Sequence, residues 1–221
     1  MQSEPSNRKS GTLPPFGVIG IDEVGRGPFA GPVTVCAAYI EDRNKVLKDL
    51  FNNTIRDSKK INKSLRFNIY QTIRKKRYIR TRIEYAVSSC SAQYIDKHGI
   101  VQAIQVCAKR CIDKLRKKGV AVEEILIRTD AGLVIPDRNL TQKSFIKGDE
   151  RYVEIALASI IAKEWRDAYM TKLAKAHPEY LWERNVGYGT KDHASAIRGY
   201  GITKYHRKSY LKGFKLFDKA E

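Results

Sequence analysis

Residues 17–24, GVIGIDEV, are a short apolar run rich in β-branched residues that closes on two adjacent carboxylates, Asp22 and Glu23. A Gly/Pro stretch, GRGPFAGP (25–32), follows, and then a second apolar run, VTVCAAYI (33–40). Two buried strands joined by a loop is the simplest arrangement of this pattern. It commits the chain to a sheet and leaves two acids at a strand end in apolar surroundings. Adjacent strand residues point to opposite faces, so Asp22 and Glu23 can serve one point only if the chain bends there. The Gly/Pro loop offers such a bend.

The rest of the chain supplies elements to cover that sheet. Residues 41–57 read as polar and irregular. From Asn62, a capping residue, Leu65, Ile69 and Ile73 repeat every four positions and predict a helix. YIRTRIEYAV (78–87) alternates, with Ile79, Thr81, Ile83, Tyr85 and Val87 on one face, and predicts a half-exposed strand. Residues 100–117 carry an apolar stripe through Ile104, Cys107, Cys111 and Leu115, and Lys117, Lys118 and Gly119 close that helix. EILIRTD (124–130) predicts a strand that again ends in an acid, Asp130. After a loop and SFIKGD, residues 152–175 predict a long helix whose packed stripe includes Val153, Leu157, Ile161, Glu164, Trp165 and Ala168, with Asp167 in its second half. One short helix follows Thr190. Strands and helices mix along the length, so the class is α/β or α+β. The expected organisation is a disordered leader (1–16), one domain (17–211) and a short tail (212–221).

Charge narrows the partners. The chain of 221 residues carries a formal net charge of +18, which favours polyanions. Residues 59–82 hold ten Lys or Arg and no acid, and residues 184–215 hold eight with a single acid, Asp192. The second run interleaves Tyr188, Tyr200, Tyr205, His206 and Tyr210, as a surface that tracks a backbone and stacks on sugars or bases requires. An anionic membrane surface is the rival reading, although no apolar run is long enough to span a bilayer and no signal-peptide pattern opens the chain. A cytoplasmic, monomeric protein with no membrane partner is expected. The four cysteines, Cys36, Cys90, Cys107 and Cys111, lack zinc-site spacing and read as small core hydrophobes.

Acids at strand ends in so basic a protein need a reason. Asp22, Glu23 and Asp130 would repel one another if they converged, and a divalent cation would relieve that. All-oxygen ligands suit Mg²⁺ or Mn²⁺. Spacing alone also allows the ordinary alternatives, a turn, a cap or a surface ion pair, and it leaves Asp167 an ordinary helix-surface acid.

Five stretches then carry a resemblance. GIDEVGRGPFAGPV (20–33), DSKKI (57–61), FIKGDERYVEIALASIIAKEWRDAYM (145–170), NVGYGTKDH (185–193) and GITKYHRKSY (201–210) resemble, in order, the motifs of the ribonuclease HII family, type 2 ribonucleases H. The resemblance implies a ribonuclease H-like α/β fold: a mixed, mostly five-stranded sheet flanked by helices, with a helical C-terminal extension. It implies endonucleolytic cleavage of the RNA strand of RNA–DNA hybrids, including single ribonucleotides embedded in duplex DNA, with Mg²⁺ or Mn²⁺, leaving 3′-hydroxyl and 5′-phosphate ends. The family's catalytic and metal-binding acids match Asp22, Glu23, Asp130 and Asp167. Gly25, Arg26 and Gly27 match the loop that reads the ribose 2′-hydroxyl, the group that distinguishes RNA from DNA. Tyr188 matches the tyrosine that packs on the junction sugar, and Lys59 and Lys60 match phosphate-contacting positions. A role in repairing misplaced ribonucleotides or removing primers is implied, and a replication-clamp contact is left open.

Four positions depart from the pattern. Ala131 and Gly132 follow Asp130 where Gly and Asn are usual, Val186 replaces a lysine, and Val24 replaces an alanine. The competing class is a non-catalytic nucleic-acid-binding protein that kept the fold. Ribonuclease HIII is the nearest rival enzyme, but about sixteen residues ahead of the first motif are too few for its extra N-terminal domain.

Overall fold

The computed structural model describes residues 17–52, 61–75, 83–130 and 132–214. Its sheet has five strands: β1 (Val18–Val24), β2 (Val33–Ile40), β3 (Ile83–Cys90), β4 (Ile127–Asp130) and β5 (Gln142–Phe145), in the order β3-β2-β1-β4-β5. β1 pairs antiparallel with β2 and parallel with β4, β2 pairs antiparallel with β3, and β4 pairs parallel with β5. The mixed sheet is the one the family resemblance implies, and residues 17–24 and 33–40 form the adjacent pair foreseen from their apolar runs.

One face of the sheet is covered by the helix Ile100–Lys117, whose stripe of Ala103, Ile104, Cys107, Cys111, Ile112 and Leu115 packs on Ile19, Ile21, Val35 and Ile127. The preceding short helix is Ala92–His98. We number the helices α1 (Arg43–Phe51), α2 (Lys63–Lys75), α3 (Ala92–His98), α4 (Ile100–Lys117), α5 (Val153–Ala176), α6 (Trp182–Asn185) and α7 (Lys191–Tyr200). α5 covers the other face, and α1 and α2 pack against it. All four cysteines are free and buried, as expected of core hydrophobes.

Gly20 determines how closely α5 can approach. A β-carbon at this position would strike the backbone of Glu154 and Ile155. Only glycine lets the strand and the helix touch there. Asp22 lies two residues further along the same strand face.

Several expectations are corrected. Residues 43–51 form α1 rather than irregular chain: Asp42 accepts from the Lys45 amide at 2.9 Å as N-cap, and Val46, Leu50 and Phe51 are buried. The polar residues between them masked the period. β3 is covered on both faces, not half-exposed. Ile83 packs toward α5 while Ala86 and Cys90 pack toward α4. The proposed start of that strand at 78–82 lies outside the described residues. β4 is shorter than residues 124–130, because Val122–Glu124 form a 3-10 turn. β5, with the polar sequence QKSF at the sheet edge, was not foreseen. In α2, Asn62 caps the Leu65 amide at 2.9 Å, but Leu65 itself is exposed. Trp165, assigned to the packed stripe of α5, is 47% exposed, and Arg166 is buried in its place.

The C-terminal residues form a third core around Met170, Tyr180, Trp182, Ile197 and Leu211. Thr190 caps α7. An isolated bridge between Ala30 and His206 ties this region to the loop after β1. Among the described residues no helix is long and apolar enough to cross a membrane.

Candidate active site

The β1–β4 ladder ends at Ile21–Thr129, so Asp22 and Asp130 are the next residues along two neighbouring parallel strands. Carboxyl ends of parallel strands at a switch in strand order are where open α/β sheets bind their ligands. β1 and β4 form such a point, since the order runs β1-β2-β3 to one side and β4-β5 to the other. Asp22 is 6% exposed. Burial pushes its carboxyl up to about 7, and the charges of Glu23 and Asp130 push the same way. The Ser159 hydroxyl and Lys163, both from α5, partly oppose that rise. The Glu23 carboxyl is also raised, first by burial and then by Asp130, against the pull of Arg26.

Glu23 Oε1 faces Arg26 Nη1 at 3.5 Å, and Glu23 Oε2 is buried without a hydrogen-bond partner. Asp22 Oδ1 accepts from the Glu23 amide at 2.8 Å. Asp130 Oδ1 accepts from the Gly148 amide at 2.8 Å. Three acids therefore act on one another from two strand ends, although Asp22 and Glu23 are neighbours in a strand. Asp167 is placed differently. It faces α2, where Arg66 Nη2 lies 2.6 Å from Asp167 Oδ2.

A divalent cation fits this chemistry. The set is all carboxylate, one of its buried oxygens has no partner, and mutual repulsion and burial hold Asp22 toward its neutral form. Among the described residues no three acid, imidazole or thiol groups already stand in metal-binding geometry. Asp167 stands apart from the other three, with its carboxylate paired to Arg66.

Beside the acids, residues 25–31 are held by two buried arginines that sequence reasoning left unassigned. Arg207 donates through Nη2 to the Gly25 carbonyl at 2.6 Å, through Nη1 to the Arg26 carbonyl at 2.8 Å and through Nε to the Gly31 carbonyl at 3.1 Å. Arg166 donates to the carbonyls of Pro32, Val186 and Ala30. Gly25 has φ +85°, and a β-carbon there would run into the Arg166 guanidinium. Burial and the neighbouring Arg207 charge lower the Arg166 guanidinium to about 10. The Tyr210 hydroxyl also donates to the Arg26 carbonyl at 2.9 Å.

Tyr188 arrives against this loop. Its ring lies beside Gly27, and the Gly187 carbonyl accepts from the Phe29 amide at 2.8 Å. Gly25, Arg26, Gly27 and Tyr188 are thus brought together, with Arg26 and Tyr188 exposed. Under Tyr188 lies a buried network. His206 Nδ1 accepts from the Thr203 amide, so its Nε2 carries the proton and donates to His193 Nε2 at 3.1 Å. His193 Nε2 also accepts from Trp182 Nε1, and its Nδ1 donates to the Tyr188 carbonyl at 2.9 Å.

The same residues are matched from outside. The family model described as Ribonuclease HII matches residues 19–213. A ribonuclease HII of Staphylococcus aureus (strain Newman) is 42% identical over 193 residues, 87% of this chain and 69% of that protein. The chain belongs to the ribonuclease HII family. It is thereby a metal-dependent nuclease of a family that cleaves RNA in RNA–DNA hybrids. Its fold is similar to the ribonuclease HII of the Archaeoglobus fulgidus PCNA:RNase HII complex, with a TM-score of 0.69 and 23% identity over 92% of this chain and 98% of that one. It is also similar to Bst-RNase HIII in complex with Mn²⁺, with a TM-score of 0.63 and 21% identity over 95% of this chain and 77% of that one.

Within this ribonuclease HII chain, Lys59 and Lys60 lie outside the described residues, as does Ala131. Gly132 has φ +76° and its amide donates to Ser144 Oγ at 3.1 Å, closing the turn after Asp130 without an asparagine. Val186 has φ +42°, a left-handed conformation that a β-branched residue adopts at a cost of about 1–2 kcal/mol. Its carbonyl is one of those held by Arg166. The signals for Arg166 and Arg207 were present, since both stand inside recognised motifs, but a buried guanidinium serving loop carbonyls has no spacing signature.

Proposed function

We propose that this enzyme cleaves the RNA strand of RNA–DNA hybrids and also incises duplex DNA at single embedded ribonucleotides, by two-metal-ion hydrolysis with Mg²⁺ or Mn²⁺. The observation that carries the reading is the meeting of Asp22, Glu23 and Asp130 at two parallel strand ends, with a buried carboxylate oxygen left unpartnered. Asp22, Glu23, Asp130 and Asp167 would hold the metal. Bound there, a pair of divalent ions supplies an activated water and charge stabilisation at the leaving 3′-oxygen, giving 3′-hydroxyl and 5′-phosphate ends.

The chain's own residues do the rest. Asp22 and Glu23, costly as bare charges in this buried position, become good ligands once a cation is near. The loop Gly25-Arg26-Gly27 presents backbone and guanidinium groups to the ribose 2′-hydroxyl. Tyr188 packs on the junction sugar, and Lys59 and Lys60 contact phosphate. The arginine clamps keep the loop in register with the acids, which is positioning rather than chemistry. The basic surface contributes salt-dependent affinity.

Replacing Asp130 with Asn and assaying a DNA duplex with one ribonucleotide, in Mg²⁺ and in EDTA, tests the mechanism. Loss of cleavage in both the variant and EDTA is expected, and cleavage that persists in either overturns it. Comparing that duplex with a long hybrid separates type 2 from type 1 behaviour. A sliding-clamp contact, as in the Archaeoglobus complex, is a further reading that a pull-down with a cognate clamp would test.

A further inference from the structure

α2 and α5 lie side by side, and between them runs a groove of about 560 Å³ that the proposed mechanism does not use. Its walls are aromatic. Phe67 on α2 is 48% exposed, and Trp165 and Tyr169 on α5 are 47% and 40% exposed. Tyr70 and Tyr85 line it more deeply. Arg74 and Lys172 stand at its edge, and the Arg74 guanidinium lies 5.7 Å from the centre of the Tyr70 ring. Its one acid among the described residues, Glu164, is buried and paired with Arg66 at 2.6 Å.

So much exposed aromatic surface in one place marks a binding surface. Cations set among aromatic faces suit a nucleic-acid strand, because every base has a face to stack and every phosphate a charge to meet. α2, KSLRFNIYQTIRK, contains no acid at all. The groove borders the candidate active site through one side chain: Glu164, in its wall, shares the Arg66 guanidinium with Asp167, which lies on the other side of that fork.

We infer that this groove binds an unpaired stretch of the nucleic-acid strand that flanks the cleaved duplex, by stacking bases on Phe67, Trp165 and Tyr169. The inference rests on the nuclease reading for its direction. It gives the enzyme an advantage on hybrids with a single-stranded flank over blunt ones.

The two tryptophans make it measurable, since Trp182 is fully buried and Trp165 is not. Titrating the whole protein in EDTA with a short oligothymidylate should quench the Trp165 emission saturably. Trp165→Phe should abolish the quench while a labelled oligonucleotide still binds. Trp165→Ala with Tyr169→Ala should weaken that binding roughly five- to hundredfold. Cleavage of a blunt duplex with one ribonucleotide should stay within about twofold of wild type, while the preference for a single-stranded flank disappears. Because the substituted rings are exposed, circular dichroism should report an unchanged fold. Unaltered oligothymidylate binding by the double variant overturns the inference. So does polyglutamate quenching Trp165 as well as oligothymidylate does, which would mark a surface for an acidic protein. If the blunt duplex is not cut by wild type but oligothymidylate still quenches, the nuclease reading fails and the groove stands.

Discussion

Arg66 Nη2 lies 2.6 Å from Asp167 Oδ2 while Nε of the same side chain lies 2.6 Å from Glu164 Oε1, so one guanidinium from α2 holds two acids of α5. The geometry is that of a strong, charge-assisted fork. It gives α2 a fixed seat, and it also occupies the fourth candidate ligand.

Arg66→Gln should therefore do two opposite things. Removing the cation leaves Glu164 buried beside Asp167, and we expect a loss of about 2–3 kcal/mol in urea unfolding, below the figure for a fully buried pair because Arg66 is partly exposed. Asp167, released from its partner, should reach half-maximal activity at a lower Mg²⁺ concentration. Adding Glu164→Gln should restore most of the stability without reversing the change in Mg²⁺ dependence. An Arg66→Gln protein with wild-type stability and an unshifted Mg²⁺ titration would show that the fork contributes to neither.

Asp22 should make the metal-free protein less stable at high pH. Its carboxyl sits near 7 in the fold against 3.8 for an ordinary aspartate, chiefly because of burial. Between those values the folded state binds the extra proton, so stability falls as pH rises and the whole cost is present above about pH 7. In EDTA at pH 8, Asp22→Asn should raise unfolding stability by something on the order of 3 kcal/mol, while abolishing cleavage. Mg²⁺ should stabilise the wild type and leave the variant nearly unchanged. Equal stabilities for the two proteins in EDTA at pH 8 would count against a strained carboxylate cluster.

The legibility of this site in the sequence is uneven, for physical reasons. β1, β2, α4 and α5 are buried on one or both faces, so their apolar periods are strong and their bounds come out within a residue or two. α1 and β5 are short and mostly polar, and their stability comes from a cap or from edge pairing that no periodicity reveals. Asp22, Glu23 and Asp130 could be noticed as acids at strand ends, but that they act on one another depends on β1 and β4 being parallel neighbours. Asp167 could not be separated from other helix acids by spacing at all; only the motif around it singles it out. Arg166, Arg207 and Arg66 look like any other cation in so basic a chain until burial and their partners are known. Trp165 misled because an indole on an apolar helix is usually core.

Arg207→Lys should loosen the loop that carries Gly25, Arg26 and Gly27. An ammonium on a flexible stem cannot serve the Gly25, Arg26 and Gly31 carbonyls as the planar fork does. Leaving one or two buried carbonyls unpaired should cost about 2–4 kcal/mol. The informative readout is discrimination. The ratio of kcat/KM for a ribonucleotide junction over the all-DNA duplex should fall more than kcat on a long hybrid does. A variant that loses both in equal measure would mean that Arg207 supports the fold without aligning the loop.

Acid should act through the histidine pair beneath Tyr188. Burial first, and then His193 and His177, lower the His206 imidazole to about 3, and burial lowers His193 as well. Both are neutral in the fold, and the tautomers are dictated: His206 Nε2 donates to a His193 nitrogen that already accepts from Trp182. A proton on His193 Nε2 would therefore meet two donors head-on. Unfolded histidines titrate near 6.5, so the stability contributed by the neutral pair is complete above about pH 7.5 and is lost as pH falls below that value. For His206 alone the loss at pH 5 should be about 2 kcal/mol relative to pH 7.5. Urea unfolding at the two pH values in an Asp22→Asn background, where the opposing titration of Asp22 is absent, should show at least this difference, and adding His206→Gln, which has no proton to gain, should shrink it. Because His193 Nδ1 holds the Tyr188 carbonyl, the same acidification should raise KM for the single-ribonucleotide duplex before the protein unfolds. A pH dependence of stability that is identical with and without His206→Gln would place the acid-sensitive groups elsewhere.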